Sequence, residues 1–486
     1  MGASIILISV QIAQLTILSR LLKPEDFGLI GMALVVTGFV RLFSDIGLSA
    51  ATIQRDELSE RFVNSLFYID LCAATILMLF CWLVAPVAAM IYSEPRVVLI
   101  IMIIAVTFPI AALRGQHQAL MARRMLYLRL NLVQVSSAIV GIITAVGSAW
   151  TFELGFWSIV LGTLATSTSN MLLCWAMSPW RPSRSVSWSE AKSAVSFGLN
   201  LLGANLAGWI WKQSDNALIG YRWDAQELGF YARAYSILMV PLSLVSGPIG
   251  SAVIPALSRL QNKKEDWTAL LFSTARLMSF FAGLVTVGLA LNAEFIVRLL
   301  LGPDWERSST IFYFLAFSIV PNLIWELARF IFLSLGRTDV MFRYAMLAAS
   351  FHVCACVVGV RYGAEGVAVS LAIVSWLMTP ALLMISSRIA EISPWALTQQ
   401  ILPSICAMTS IWATVAIFWE FNPVNSSFTE TLLKNAVLAG VYVLVHVVVL
   451  PFHAGWRHDC ERISRLARSF IERRILAGSA LRRLWD

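Results

Sequence analysis

Charge is scarce in this sequence. Only 13% of its 486 residues are Asp, Glu, Lys or Arg, against about 25% in soluble domains, too few to cover a water-facing surface. Catalytic signatures are missing as well. There is no GxxxxGKS/T phosphate loop, no HExxH and no DxD motif, so ATP hydrolysis through that loop is excluded and no cofactor or metal is expected. The seven cysteines are odd in number and include no CxxC pair that would suggest zinc or redox chemistry. Six of them, Cys72, Cys81, Cys174, Cys354, Cys356 and Cys406, fall in apolar runs and read as small core residues. His352 and His446, each alone on an apolar stretch, read as satisfied core histidines.

What the sequence does have is apolar chain of bilayer length. Hydrophobic residues make up 58% of it, and the mean hydropathy is +0.76. A hydrocarbon core about 30 Å thick needs roughly 17–25 predominantly apolar residues per helix. Fourteen such runs are read, numbered spans 1–14: 3–19, 27–47, 63–91, 97–116, 130–149, 154–177, 195–220, 228–256, 269–300, 308–334, 340–360, 366–387, 399–419 and 433–452. Lipid cannot satisfy free backbone N–H and C=O groups, so runs this continuous must be helices. The fold class is therefore an all-α polytopic membrane protein with about 14 transmembrane helices. Residues 1–19 lack a basic lead and a cleavage site before Arg20, and read as a short first span rather than a signal peptide. Short joints leave little room for a polymerase or ligase site, so the chain is not expected to be an enzyme.

Cytoplasmic loops carry an excess of Lys and Arg, which sets the orientation. The joints after even-numbered spans, together with the tail, hold 21 of the 36 Lys and Arg residues, and the opposite joints hold six. Both termini are then expected in the cytoplasm. The tail, 456–486, carries Ile463, Leu466, Ala467, Phe470 and Ile471 at helical spacing among arginines. That pattern suits an amphipathic helix on an anionic leaflet, with membrane lipids as partners.

The chain also repeats itself. PEDFGLIGMA around Gly28 returns as AQELGFYARA around Gly229, an offset of 201. QALMARRMLYLRL, with Arg123 and Arg129, corresponds to FLSLGRTDVMFRYAM, with Arg337 and Arg343, at an offset of 214. Six spans separate the copies, so the repeat is parallel, about an axis along the membrane normal. Transporters built this way bind substrate where the halves meet and rock one half against the other. The expected organisation is an N-terminal six-helix lobe (1–177), a basic linker (178–194), a C-terminal six-helix lobe (195–390), spans 13 and 14 (391–453), and a basic amphipathic tail (454–486).

Three segments carry a family resemblance: LSRLLKPEDFGLIGMA (18–33), FSDIGLSAATIQR (43–55), and the long stretch 215–261 with LGFYARAY. Together they resemble the polysaccharide transporter branch, the Wzx-type flippases, of the multidrug/oligosaccharidyl-lipid/polysaccharide superfamily, nearest the colanic acid and exopolysaccharide exporters. The resemblance implies two six-helix lobes around a central cavity in a bacterial inner membrane. It also implies transfer of an undecaprenyl-diphosphate-linked oligosaccharide to the outer leaflet, beside a polysaccharide polymerase and other assembly proteins and with no nucleic acid partner. A longer polar lead-in than Met1-Gly2 is usual in such proteins.

An ionisable group at span depth costs at least about 2.5–3.5 kcal/mol on insertion scales, so each one calls for a reason. Arg41 and Asp45 lie i,i+4 in span 2; Lys212 and Asp215 lie i,i+3 in span 7; Glu326 and Arg329 lie i,i+3 in span 10. Such spacing allows structural ion pairs. It equally suits a wet cavity in which cations meet a diphosphate and carboxylates meet sugar hydroxyls. The resemblance places spans 1, 2, 7 and 8 along that cavity, favouring Arg41, Lys212 and Arg233 as phosphate contacts. Asp70 in span 3 has no cation near it in sequence and is the coupling-ion candidate. Trp209, Trp211 and Trp223 read either as sugar-stacking or as packing residues, and Glu294 and Arg298 as interfacial. The alternatives left open are a drug or cation antiporter, a peptidoglycan lipid-precursor flippase, and a scaffold that holds glycosyltransferases through the basic tail.

Overall fold

The computed structural model describes residues 2–44, 52, 53, 55, 58–187, 209–211, 213–418, 437, 440–442 and 444. Asp45, Lys212, His446, most of span 14 and the basic tail lie outside them. The regular elements among the described residues are helices, with no strand. Spans 1–3 are the helices Gly2–Leu21, Pro24–Ser44 and Glu60–Tyr92. Spans 5–8 are Tyr127–Phe152, Phe156–Met177, residues 213–222 with 209–211, and Ala225–Leu260. Spans 11–13 are Thr338–Gly359, Gly363–Ile389 and Pro394–Phe418.

Three spans read as single runs are each two helices. Span 4 is Arg96–Ala105 followed by Thr107–Arg123, and span 9 is Lys264–Leu291 followed by Ala293–Leu300. Span 10 is Glu306–Ala316 and then Ile319–Ser334, interrupted at Phe317 and Ser318. Hydropathy alone does not register such breaks, because one or two joining residues barely change the average over a bilayer-length run. Seven stretches among the described residues are long and apolar enough to cross a membrane, or eight if the broken pair of span 10 counts as one. One of the seven, Thr338–Ile389, contains both span 11 and span 12, and the count is compatible with fourteen.

Local chemistry fixes the helix ends. Span 2 opens on Pro24, which lacks a donor to leave unsatisfied, and Glu25 and Asp26 in its first turn oppose the positive end of the helix dipole. Span 3 is capped by Ser59, whose Oγ accepts the Phe62 N–H at 3.0 Å.

Packing divides the chain into two compact units. The first comprises 1–240, 293–315 and 342–374, with Trp305, Tyr231, Phe62 and Phe312 among its fully buried side chains. The second comprises 241–292, 316–341 and 375–486, and buries Phe330 and Phe332. In the second unit, the Arg276 guanidinium of span 9 is only 6% exposed and donates to Gln400 Oε1 of span 13 at 2.5 Å. These units, which follow packing, do not coincide with the six-span lobes expected from repetition.

The repeat is written in hydrogen bonds as well as letters. Asp26 Oδ1 accepts the Phe156 N–H at 3.0 Å, closing the start of span 6 beside Gly155 at φ +56°. Glu227, 201 residues after Asp26, accepts the Ala364 N–H at 2.9 Å, closing the start of span 12 beside Gly363 at φ +80°. Trp175 Nε1 of span 6 donates to Leu113 O at 2.9 Å, and Trp376 Nε1 of span 12 donates to Phe317 O at 3.0 Å. Arg123 and Arg337 make unlike contacts: Arg123 holds the carbonyls of Thr52, Ile53 and Arg55, whereas Arg337 pairs with Asp339 at 3.3 Å.

Candidate functional site

The two repeat glycines meet. The starts of span 2 and span 8 cross so closely that a Cβ on Gly28 would lie 1.6 Å from Ala225 O, and one on Gly229 would lie 1.8 Å from Pro24 O. Each glycine thus packs on the carbonyl four residues before the other glycine. Small residues permit this approach, and in a membrane such close packing takes over part of the role that hydrophobic burial has in water.

Around the crossing, contacts tie spans 1 and 2 to the segment 293–315. Trp305 Nε1 donates to Ser19 O at 2.8 Å, and its ring lies 5.5 Å from Phe27 and 6.0 Å from Phe230. Arg20 Nη2 donates to Leu299 O at 2.6 Å. Salt bridges brace the same end: Arg96 joins Glu25 at 2.6 Å and Glu94 at 2.9 Å, and Arg307 joins Glu227 at 3.0 Å.

Arg233 lies one turn beyond Gly229. Its guanidinium stacks 3.7 Å from the centre of the Phe27 ring, no carboxylate among the described residues pairs with it, and its Nε is buried without a hydrogen-bond partner. Beside it in sequence, the Tyr231 hydroxyl donates to Asp215 Oδ2 at 2.7 Å. Asp215 is 2% exposed and also accepts the Asn216 N–H at 2.7 Å. Deeper along span 2, Trp209 Nε1 would be 3.3 Å from a Cβ on Gly38, and its ring lies 5.1 Å from Phe39. Arg41 follows on the same helix and is exposed.

Of the sequence candidates, Asp215 and Arg233 therefore belong to this neighbourhood, and Arg41 lies further along span 2. Asp70 is half-buried on span 3. Glu326 and Arg329, in the second unit, form the ion pair that their spacing allows, at 2.6 Å, with both side chains partly exposed. Trp209 and Trp211 serve packing, the latter 6.1 Å from His352, and Trp223 Nε1 donates to Val360 O at 2.6 Å.

Two expectations need correction. Cys72, Cys354 and Cys406 sit on exposed helix faces, because small apolar side chains are tolerated where a helix meets lipid. His352 is not satisfied, since its Nε2 is buried without a partner. Sequence reading also passed over the caps Asp26 and Glu227, although both lie two residues before a repeat glycine, and over Arg276. No group of three or more His, Cys, Asp or Glu among the described residues could hold a metal ion. The neighbourhood can offer a stacked, unpaired cation and a buried carboxylate held by a phenol, but it presents no nucleophile paired with a base.

Comparison with known proteins agrees with this architecture. The lipopolysaccharide biosynthesis protein WzxC of Escherichia coli is 21% identical over 78% of this chain and 77% of its own. The teichuronic acid biosynthesis protein TuaB of Bacillus subtilis is 22% identical over 68% of this chain and 69% of its own. Among solved structures, a lipid II flippase MurJ in an inward closed conformation superposes with a TM-score of 0.75 at 12% identity, covering 92% of this chain and 98% of that one. A family model described as polysaccharide biosynthesis protein matches residues 17–310. This multi-pass membrane chain belongs to the polysaccharide biosynthesis protein family.

Proposed function

We propose that the protein is a flippase that moves undecaprenyl-diphosphate-linked oligosaccharide repeat units from the cytoplasmic to the periplasmic leaflet of the inner membrane. The product would feed exopolysaccharide, capsule or lipopolysaccharide synthesis. Family membership supports a place in polysaccharide biosynthesis, and the fold shared with a lipid II flippase suits passage of a lipid-linked head group. The observation that carries the reading is Arg233. A guanidinium at membrane depth, stacked on Phe27 and unpaired among the described residues, is costly unless an anion uses it. Its planar fork matches phosphate oxygens.

In this reading the lobes 1–177 and 195–390, related by an axis along the membrane normal, rock against each other, both termini lie in the cytoplasm, and the Gly28 end faces outward. The crossing of Gly28 and Gly229 is then the outer closure. The substrate's diphosphate enters from the cytoplasm towards Arg41, Lys212 and Arg233. Asp45, Asp215, Glu326 and Arg329 are the further polar contacts, Asp70 is the coupling-ion candidate, and a polysaccharide polymerase receives the product.

Deletion of the gene tests this directly. Lipid-linked repeat units are expected to accumulate on the cytoplasmic face, and to clear when the wild-type protein is restored. Continued export without accumulation would overturn the proposal.

A further inference from the structure

The chain that leaves span 6 does not hang free. Its sequence, Ser178-Pro-Trp-Arg-Pro-Ser-Arg-Ser-Val-Ser187, has two X-Pro steps that push the residues before them into extended backbone, and Ser178 has φ −99° and ψ 129°. An extended chain alternates its side chains, and three serines at i, i+2 and i+4 use that alternation. Asn64, on the first turns of span 3 and 1% exposed, donates to Ser183 Oγ at 2.7 Å, Ser185 Oγ at 3.1 Å and Ser185 O at 3.2 Å. Its Oδ1 accepts the Ser183 N–H at 3.2 Å. The neighbouring Ser65 Oγ accepts the Ser187 N–H at 2.7 Å while donating to Arg61 O at 2.6 Å. Arg184 and Val186, at the alternate positions, make none of these bonds; they are exposed, as are Ser183 and Ser185.

Trp180 anchors the near end. Its ring lies 5.7 Å from Phe67 of span 3 and 5.0 Å from His117 of span 4, and His117 lies 4.8 Å from Trp175 of span 6. His117 is fully buried with both ring nitrogens unpartnered, so only its faces and edges serve, as packing surface for two indoles. Arg181 closes the plug: its guanidinium lies 5.7 Å from the Trp175 ring and donates to Ser178 O at 2.6 Å and Trp180 O at 2.7 Å. A free linker would need none of these part-buried amide and hydroxyl bonds, and leaving the buried Asn64 amide unsatisfied would be costly.

We infer that residues 178–187 are a permanent strap, which makes the first part of the inter-lobe linker a structural part of the N-terminal half. That this stretch opens the link between two lobes rests on the two-lobe flippase reading, whereas the docking itself does not. Trypsin reads the docking in detergent-solubilised full-length protein, because it cuts after Arg184 only if the local chain can leave its seat, and Pro182 blocks cutting after Arg181. Cleavage at Arg184 is expected to be slow in the wild type and about tenfold faster or more in Asn64→Ala and in Trp180→Ala, as expected of a locally released segment. Equal rates in wild type and variants would overturn the strap. Permanence is tested with Ser65→Cys/Ser187→Cys joined by a short bifunctional thiol reagent. The bridged protein is expected to retain export within about twofold of the unbridged form; arrest by bridging would show a strap that must release, and failure to bridge would show that it is not docked.

Discussion

At the scale of single residues, the sharpest expectation concerns the helix crossing. Gly28→Ala places a methyl where Ala225 O already sits, so backbone rather than a side chain must yield. A loss of about 1–3 kcal/mol is expected, read as a lower melting midpoint in detergent. Gly31→Ala meets only the end of the flexible Leu228 side chain at 3.1 Å, and should cost less. Gly147→Ala has nothing within 4 Å and should be neutral or mildly stabilising. For Arg233, the Lys variant keeps the charge and loses the planar stack, while the Ala variant loses both. Export is expected to fall in the order wild type, Lys, Ala, with Ala down about tenfold or more, as charge-assisted hydrogen bonds are worth about 1.5–3 kcal/mol. A third expectation is set by pH. The hydrogen bond and charge of Lys264, at 2.8 Å, hold the Glu391 carboxyl below its ordinary value of 4.5. A carboxyl lowered in the folded state adds stability above its unfolded value and loses it as pH falls through the folded one. Glu391→Gln should therefore lower the melting midpoint at neutral pH, only slightly because this pair is exposed, and the difference from wild type should close as pH falls below about 4.5. The glycine pair was legible in the sequence because a missing side chain repeated at a fixed offset is a visible mark. Arg233 was legible as a charge out of place, but its partner Phe27 was not, since one phenylalanine among 27 carries no sign of what stacks on it.

At the scale of elements, apolar periodicity located the helices and missed their interruptions. Val106 and Asn292 end helices inside runs that hydropathy reads as continuous. The ion pair Glu326–Arg329 was readable because both partners share one helix. Arg276 was not, because its partner Gln400 lies 124 residues away on span 13. That bond ties span 13, which stands outside the repeat, to span 9. Gln400→Leu removes a charge-assisted acceptor from a buried guanidinium and is expected to cost about 1.5–3 kcal/mol, measured by the unfolding midpoint in mixed micelles. An unchanged midpoint would show that the remaining contacts of Arg276 suffice. The strap was hidden for a different reason. Its basic, Pro- and Ser-rich composition is that of a solvated linker, and only the position of Asn64 and Ser65 on a distant helix turns it into docked chain.

At the scale of the whole molecule, the proposed cargo has consequences for energy coupling. A diphosphate with about two negative charges moving outward across an inside-negative membrane of ~100 mV gains about 4.6 kcal/mol, at about 2.3 kcal/mol per charge. Flipping in vesicles should therefore slow on depolarisation even with no pH gradient. Undiminished flipping, together with loss of activity in Asp70→Asn, would point to ion exchange instead. The crossing of Gly28 with Ala225 O, and of Gly229 with Pro24 O, bears on how such a protein can change its cargo. This contact is backbone on backbone and is indifferent to side-chain vocabulary. Residues lining the route can be rewritten for a new sugar without disturbing it, so in a library randomised for altered substrate range, positions 28 and 229 should stay glycine while their surroundings diversify.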